Sequence, residues 1–269
     1  MKLSRFIIVL MGAGVFAGCE TNIVESDLEP PAAPRGVYSV TGDNQVVLSW
    51  YPNGESDLDG YSVYRSFNDQ NGYQLIADVG NARFVDADVD NGVTYYYAVT
   101  AYDLDGNESE LSPEVVQDTP RPEGFGVRMS NLLRVPEAAG YDFSNYSLTD
   151  FQAQTTDIYF GRDVTTGGYF IYSFSDDTDL QDYGYTESFD DVDYAPENGW
   201  SALGYTEAIP GHTYIVWTHD NHFAKLRVTA VNPDFVEFDW AYQIVEGNPE
   251  LAKVSKRSIS AQKEKHNEK

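Results

Sequence analysis

Cysteine is nearly absent from this sequence of 269 residues, because Cys19 is its only one. A single thiol cannot form an intrachain disulfide, even in an oxidising compartment. Two catalytic motifs are also missing: there is no Gly-x-Ser-x-Gly nucleophile elbow and no glycine-rich phosphate loop ending in Lys-Ser or Lys-Thr. We therefore predict a protein that is not an enzyme and that carries no cofactor.

Basic residues are scarce as well. The chain has 17 Lys and Arg residues against 43 Asp and Glu residues, which gives a net charge of −26. An acidic body repels nucleic acid and anionic lipid head groups, so we expect no nucleic-acid partner. Cations, basic proteins and neutral ligands remain as alternatives, although solubility in a saline exterior is a sufficient reason for the charge.

Long apolar runs are missing except at the start of the chain. The segment Phe6 to Met11 is apolar, small residues continue it to Phe16, and Lys2 and Arg5 precede it. It is shorter than the roughly 20 residues that a membrane-spanning helix requires. Its charged start, apolar stretch and small residues are those of an export signal. We predict that residues 1–18 are a signal peptide.

The end of this segment, Phe16-Ala17-Gly18-Cys19, resembles a bacterial lipobox. The resemblance implies that Cys19 receives a diacylglyceryl group, becomes the first mature residue and is then N-acylated. Two or more acyl chains are sufficient for stable anchoring. A plain secretory signal with a chance cysteine is the alternative. We expect a protein anchored to the membrane through Cys19 in the bacterial cell envelope, at the outer membrane, with residues 19–31 as an acidic, proline-ended tether.

Aromatic residues are plentiful. The chain has 20 Tyr, 14 Phe and 4 Trp, which suit the half-buried faces of β-sheets, and only the C-terminal tail has a helix-like pattern. The sequence therefore predicts an all-β protein with two domains. Seven short segments with turn residues between them are typical of a sandwich over residues 32–119. They are Val37–Val40, Gln45–Trp50, Tyr61–Arg65, Tyr73–Ala77, Ala82–Val85, Thr94–Tyr102 and Leu111–Val116.

Residues 32–119 resemble a fibronectin type III domain. The matching residues are Trp50 at the end of the second segment, Gly60 to Arg65 in the third, and Gly92 to Tyr95 leading into the sixth. The resemblance implies that the Tyr95 hydroxyl bonds back to the chain between strands, as a corner tyrosine does. It implies little about function, because this fold is a spacer or a docking module with unrelated roles.

A proline-flanked junction, Thr119 to Gly124, precedes a second all-β unit over residues 125–246. Its clearest part is a hairpin around Asp220 and Asn221, residue types that tolerate the left-handed backbone of a tight turn. Residues 247–269 are polar and basic, and we predict a disordered tail. The strand candidates of the second unit are Gly126–Met129, Asp157–Gly161, Tyr169–Phe174, Thr213–Thr218, Phe223–Val231 and Phe235–Ile244.

The segment from Gly211 to Gln243 resembles the C-terminal part of HmuY-like lipoproteins, an all-β family known for haem capture. The shared features are a Tyr-x-Val-x-Thr strand, an Asp-led turn, an Ala-Lys pair and a final aromatic strand that ends in Tyr-Gln. The resemblance implies a β-rich fold and haem as an alternative ligand. Possible iron ligands are His212, His219, His222 and Met129. No spacing rule selects a pair of them, and the acidic body repels haem propionates, so we predict no tight haem binding.

The candidate ligand-binding residues are His219, His222, Trp200, Tyr183 and Tyr185. A two-residue turn would place His219 opposite His222, where both imidazoles could reach one metal ion. A catalytic zinc site needs three protein ligands, so we predict no metal. The aromatic residues lie in a long acidic segment, and rings beside carboxylates can stack on sugars. Exposed turn histidines and core-filling rings are the simpler alternatives.

The acidic turn from Glu55 to Gly60 is similar to the start of a calcium loop. Its oxygen-bearing residues alternate, but Ser66 occupies the twelfth position, where glutamate closes such a loop. We favour an ordinary solvated turn.

Together these features predict a lipid-anchored, non-catalytic envelope protein in which a fibronectin type III spacer presents a distal β-rich binding domain. The membrane, through Cys19, is the first predicted partner, and an envelope protein or a small ligand such as a glycan is the second. One alternative is a structural or assembly accessory lipoprotein of an envelope complex. Another is a haem or glycan capture protein.

Overall fold

The computed structural model describes residues 27–114 and 116–252. Cys19, the predicted signal peptide and residues 253–269 lie outside the described residues. The described chain is built from strands with two short 3-10 turns, Pro136–Ala138 and Phe189–Asp191, so the all-β prediction is confirmed. Within the described ranges, no helix is long and apolar enough to cross a membrane.

The first unit is a sandwich of two antiparallel sheets. One sheet has the strand order β1-β2-β5 and the other has the order β4-β3-β6-β7. The chain therefore crosses between the layers after β2, as sandwich topologies require. The strands are β1 (Arg35–Gly42), β2 (Gln45–Tyr51), β3 (Leu58–Ser66), β4 (Gln74–Val79), β5 (Arg83–Asp86), β6 (Tyr95–Asp103) and β7 (Val116–Asp118).

Alternation along the strands places the first core between these sheets. Every second residue of β2 from Val46 to Trp50 is buried. Trp50 packs edge-to-face on Tyr61 of β3, with ring centroids 5.2 Å apart. Tyr95 is buried, and its hydroxyl accepts a hydrogen bond from the Asp90 backbone N–H at 3.0 Å. The corner tyrosine that the resemblance implies is therefore present.

The second unit is a larger sandwich. Its two five-stranded sheets have the orders β10-β9-β11-β12-β14 and β13-β15-β16-β17-β8. We call them the small-strand sheet and the long-strand sheet. The strands are β8 (Glu123–Ser130), β9 (Gly140–Asp142), β10 (Ser147–Thr149), β11 (Ile158–Arg162), β12 (Tyr169–Ser173), β13 (Asp179–Tyr185), β14 (Tyr205–Glu207), β15 (His212–Trp217), β16 (Phe223–Val231) and β17 (Phe235–Gln243).

The long-strand sheet is covered on both faces. On β16, the even-numbered residues Ala224 to Val228 face the main core, where they join Phe160 and Phe238. Lys225 points to the opposite face, is fully buried, and donates from Nζ to the Phe189 carbonyl at 2.7 Å. Burial lowers the pKa of Lys225 well below its ordinary value. The segment that contains Phe189 therefore closes the second face of the sheet.

The junction between the two sandwiches is buried. Arg121 is fully buried; its backbone N–H donates to the Gly42 carbonyl at 3.2 Å, and its Nη1 donates to Glu123 at 2.9 Å. Its Nε donates to the Leu251 carbonyl. Gly92 lies so close to the second unit that an added Cβ would be 2.9 Å from Ile244 Cδ1. The two sandwiches are therefore connected by contacts of Arg121 in the linker and by the direct approach of Gly92 to Ile244.

Two predicted boundaries need correction. In the segment predicted as strand from Leu111 to Val116, residues 111–114 are not in a strand, and the described strand begins at Val116. Pro113 lacks the N–H that a ladder needs. The predicted disordered tail begins too early: Leu251 and Ala252 are fully buried. Leu251 packs on the outer face of the long-strand sheet, where it buries apolar side chains such as Ile215 and Phe223.

Candidate functional site

A buried carboxylate stands behind one of the predicted histidines. Asp157 is fully buried just before β11; its Oδ2 accepts the Phe143 backbone N–H at 2.8 Å. Its Oδ1 lies 3.1 Å from His219 Nδ1. Burial raises the pKa of Asp157 from the ordinary 3.8 to about 6, although Phe143 and His219 act in the opposite direction. The His219 side chain is 41% exposed. The pair therefore consists of a buried carboxylate and an imidazole at the protein surface.

A second carboxylate holds the other histidine. Asp220 Oδ1 accepts the Thr218 hydroxyl at 2.5 Å, and its Oδ2 accepts the Ser144 hydroxyl at 2.8 Å and the Tyr242 hydroxyl at 3.3 Å. His222 Nδ1 lies 3.3 Å from Asp220 Oδ1 as an electrostatic contact. Burial raises the pKa of Asp220, but the hydroxyl donors and His222 outweigh burial and hold the pKa below its ordinary value.

The hairpin differs from the predicted two-residue turn. The Thr218 N–H donates to the His222 carbonyl at 2.8 Å, so Thr218 is opposite His222 and three residues form the turn. Asn221 has a φ of +64°, the left-handed conformation expected of this residue type. The prediction that His219 faces His222 is therefore wrong. The hydrogen bond from the Thr218 hydroxyl to Asp220 favours the longer turn.

These contacts hold the turn between β15 and β16 against other parts of the second unit. Each histidine directs Nδ1 toward a carboxylate, which orients the ring as in many metal and acid-base sites. The Ser144 hydroxyl, however, bonds to Asp220 instead of to a histidine. Within the described residues, the one close group of three possible metal ligands does not include His219 or His222.

That close group is acidic. Asp27, Asp57 and Asp103 each place an oxygen within 4.8 Å of the other two. The Asn107 side-chain amide and nearby backbone N–H groups lower the pKa of Asp103. The members lie far apart in sequence, and β3 begins at Leu58, directly after Asp57. The calcium-loop alternative for residues 55–60 is therefore wrong.

The predicted aromatic residues separate into two places. Tyr183 and Tyr185 are 47% and 71% exposed on β13, an edge strand of the long-strand sheet. Trp200 packs near Trp217, with ring centroids 6.0 Å apart, and Trp217 stacks on Phe223 at 5.2 Å. Trp200 therefore helps to cover the small core on the outer face of this sheet. Sequence reasoning did not identify Trp217.

The predicted haem ligands do not form a common site. Met129 is fully buried in the main core, and His212 Nδ1 lies 3.0 Å from Asp182 on β13. His219 and His222 are held by different carboxylates. No described contact brings two of these four side chains to opposite sides of one space.

The small-strand sheet carries an aromatic row on its outer face. In the sheet register, Tyr159 is directly opposite Tyr172, and Tyr172 is opposite Tyr205. Directly opposite residues point to the same face, and the alternating residues of β11 and β12 lie in the core. Phe151 and Phe170 contact the same row. We define the aromatic row as these five residues.

Comparison with known proteins gives partial matches. No family model matches the chain. It is 37% identical over 121 residues to an amylopullulanase from Thermoanaerobacterium saccharolyticum, a match that covers 44% of this chain and 9% of that protein. It is 39% identical over 113 residues to an amylopullulanase from Thermoanaerobacterium thermosulfurigenes, covering 41% of this chain and 6% of that protein. The chain spans less than a tenth of either relative.

Solved structures give a similar picture. An Fn3-like protein from Clostridium thermocellum is 26% identical, with a TM-score of 0.30. The match covers 36% of this chain and 100% of that protein. A β-1,2-glucanase from Parabacteroides distasonis is 29% identical, with a TM-score of 0.31. That match covers 35% of this chain and 14% of the glucanase. Fn3-like domains are thus among the proteins to which this all-β chain is similar. The lipid anchor and the HmuY-like resemblance stay predictions.

Proposed function

We propose that this chain is a non-catalytic accessory protein of the bacterial cell envelope, in which the first sandwich presents the second to a ligand. The observation that carries the proposal is the buried junction. Arg121 is fully buried and bonds to Gly42 of the first sandwich, to Glu123, and to Leu251 near the end of the described chain. A spacer that contacts its distal domain in this way limits the directions in which that domain can face.

The curated relatives support an accessory role. The matches cover 9% and 6% of two amylopullulanases, so only a small segment of each is shared. Activity of a whole enzyme does not follow from so short a segment. The names of these relatives suggest pullulan as the first ligand to test.

The absence of catalysis is directly testable. The hydroxyl of Ser144 bonds to a carboxylate, and the histidines fix a turn. We expect the purified mature chain to release no sugar from pullulan and no product in a broad hydrolase screen. Activity that disappears in the His219→Ala or His222→Ala variant would make the protein an enzyme and contradict the proposal.

Attachment to the membrane is proposed to occur through acylated Cys19. The Cys19→Ser variant should move from the membrane fraction to the soluble fraction. A variant that still sediments with membranes after a high-salt wash would show another mode of attachment. Mild cross-linking provides a further check, because recovery of a stoichiometric protein partner would favour an assembly role over ligand binding.

A further inference from the structure

The aromatic row forms a continuous line of contacts across the small-strand sheet. The ring centroids of Phe151 and Tyr159 are 5.8 Å apart, and those of Tyr159 and Tyr172 are 4.8 Å apart with planes at 8°. Tyr172 and Tyr205 follow at 5.6 Å, and Tyr205 meets Phe170 edge-to-face at 5.5 Å. The register fixes this line, because the three tyrosines occupy paired positions on β11, β12 and β14.

The row is accessible from solvent. Tyr205 is 38% exposed, and the other rings are half-buried. Within the described chain, the hydroxyls of Tyr159, Tyr172 and Tyr205 bond to no other residue. Burial raises the pKa of both Tyr159 and Tyr172, so these hydroxyls keep their protons at neutral pH. The row therefore offers apolar ring surface together with free hydrogen-bond donors and acceptors.

Few charged residues lie at the strand positions paired with the row. The positions paired with the row on the same face include Gly140 opposite Tyr159, and Gly161 and Glu207 opposite Phe170. Glu207 is the one charged residue among these paired positions. Asp163 is a second carboxylate, and it lies close enough to Tyr172 to raise the pKa of that hydroxyl further. Two acidic groups therefore lie beside the row, in a chain with a net charge of −26.

We propose that the aromatic row binds a neutral polysaccharide, and this inference rests on the proposed role of the second sandwich as a binding domain. Sugar rings have apolar C–H faces that stack on aromatic rings, and their hydroxyls pair with free polar groups. Tyr205 offers the most exposed ring, the tyrosine hydroxyls supply donors and acceptors, and Glu207 supplies an acceptor. A basic peptide would find two carboxylates here, Glu207 and Asp163, and an anionic lipid surface would be repelled by the acidic body.

The test uses the full mature chain in native gels that contain pullulan, amylopectin, xylan or, as a charged control, polygalacturonate. We expect at least one neutral polysaccharide to retard the protein and polygalacturonate to leave its mobility unchanged. Tyr205→Ala should weaken binding by about twofold to tenfold, which is the contribution that a pair of packed aromatic rings makes. Tyr205→Phe should retain more of the binding, because the ring remains.

Tyr51→Ala and Phe67→Ala are the matched controls, since these exposed rings lie in the first sandwich. They should bind as the parent does, and thermal melting should show that every variant is folded. Retardation by none of the neutral polysaccharides, equal binding by Tyr205→Ala, or a dimer that Tyr205→Ala dissociates would overturn the inference. None of these results would contradict the proposed accessory role. That role would be contradicted by hydrolase activity of the chain or by recovery of a stoichiometric protein partner.

Discussion

Replacement of Asp157 by asparagine should make the protein more stable at neutral pH. Asp157 is fully buried, and its two oxygens contact Phe143 N–H and His219 Nδ1. Asparagine has nearly the same shape. Its Oδ1 can accept from Phe143, and its Nδ2 can donate to a neutral His219. The substitution therefore removes a buried negative charge while it keeps both contacts.

The magnitude follows from the pKa of Asp157. Burial raises it from 3.8 to about 6, and about 2 pKa units correspond to about 3 kcal/mol at neutral pH. The folded protein holds this proton more tightly than the unfolded chain does. The free energy of unfolding contributed by Asp157 is therefore greatest below about pH 4 and falls as the pH rises to about 6. Asp157→Asn removes this loss, so the stability difference between variant and parent should grow through the same range.

Urea unfolding measured between about pH 4 and about pH 7 tests this expectation. Asp220 is a second carboxylate near Asp157, so Asp220→Asn is the matched control. The pKa of Asp220 is lowered in the folded state, so its contribution is present above its unfolded pKa and is lost as the pH falls. Asp220→Asn should thus be less stable than the parent at neutral pH. An Asp157→Asn variant that is less stable at pH 7, or whose difference from the parent does not change with pH, would refute the reasoning.

Three further results are expected. Tyr95→Phe should lower the free energy of unfolding by about 1 kcal/mol, because the Asp90 N–H loses its acceptor; an unchanged urea midpoint would contradict this. Arg121→Ala should lower the free energy of unfolding by about 3–5 kcal/mol, because Glu123 loses its buried partner. The control Arg128→Ala, at the exposed pair with Glu237, should lower it by less than about 1 kcal/mol. Similar losses in both variants would show that the junction is not a stabilising contact. Titration with haemin should give no sharp Soret shift, since Met129 is buried and His219 and His222 contact separate carboxylates; a shift that saturates at one equivalent and is lost in His219→Ala or His222→Ala would establish haem capture.

The long strands could be predicted from the sequence, but several short ones could not. β16 was predicted with its observed limits, Phe223–Val231, because its apolar residues alternate over the seven positions from Ala224 to Ala230. β9, β10 and β14 have three residues each, too few for alternation to be recognised. β13 was missed because it is largely polar, and its apolar residues Leu180, Tyr183 and Tyr185 do not keep a period of two.

The candidate site shows a similar division. His219 and His222 were selected by residue type and turn position, but their setting depends on partners far away in the sequence. Asp157 is 62 residues from His219, and Ser144 is 76 residues from Asp220. The aromatic row was hidden for the same reason. It arises from the pairing of β11, β12 and β14, and a shift of one residue would turn the rings of a strand toward the core.

The most direct test of the aromatic row as a glycan site is calorimetric titration of the full mature chain with the neutral polysaccharide that retards it most. We expect saturable heat for the parent and for Tyr51→Ala, and a Kd about twofold to tenfold higher for a folded Tyr205→Ala variant. No saturable heat with any neutral polysaccharide, or the same Kd for Tyr205→Ala and the parent, would contradict the assignment of the second sandwich as a glycan-binding domain.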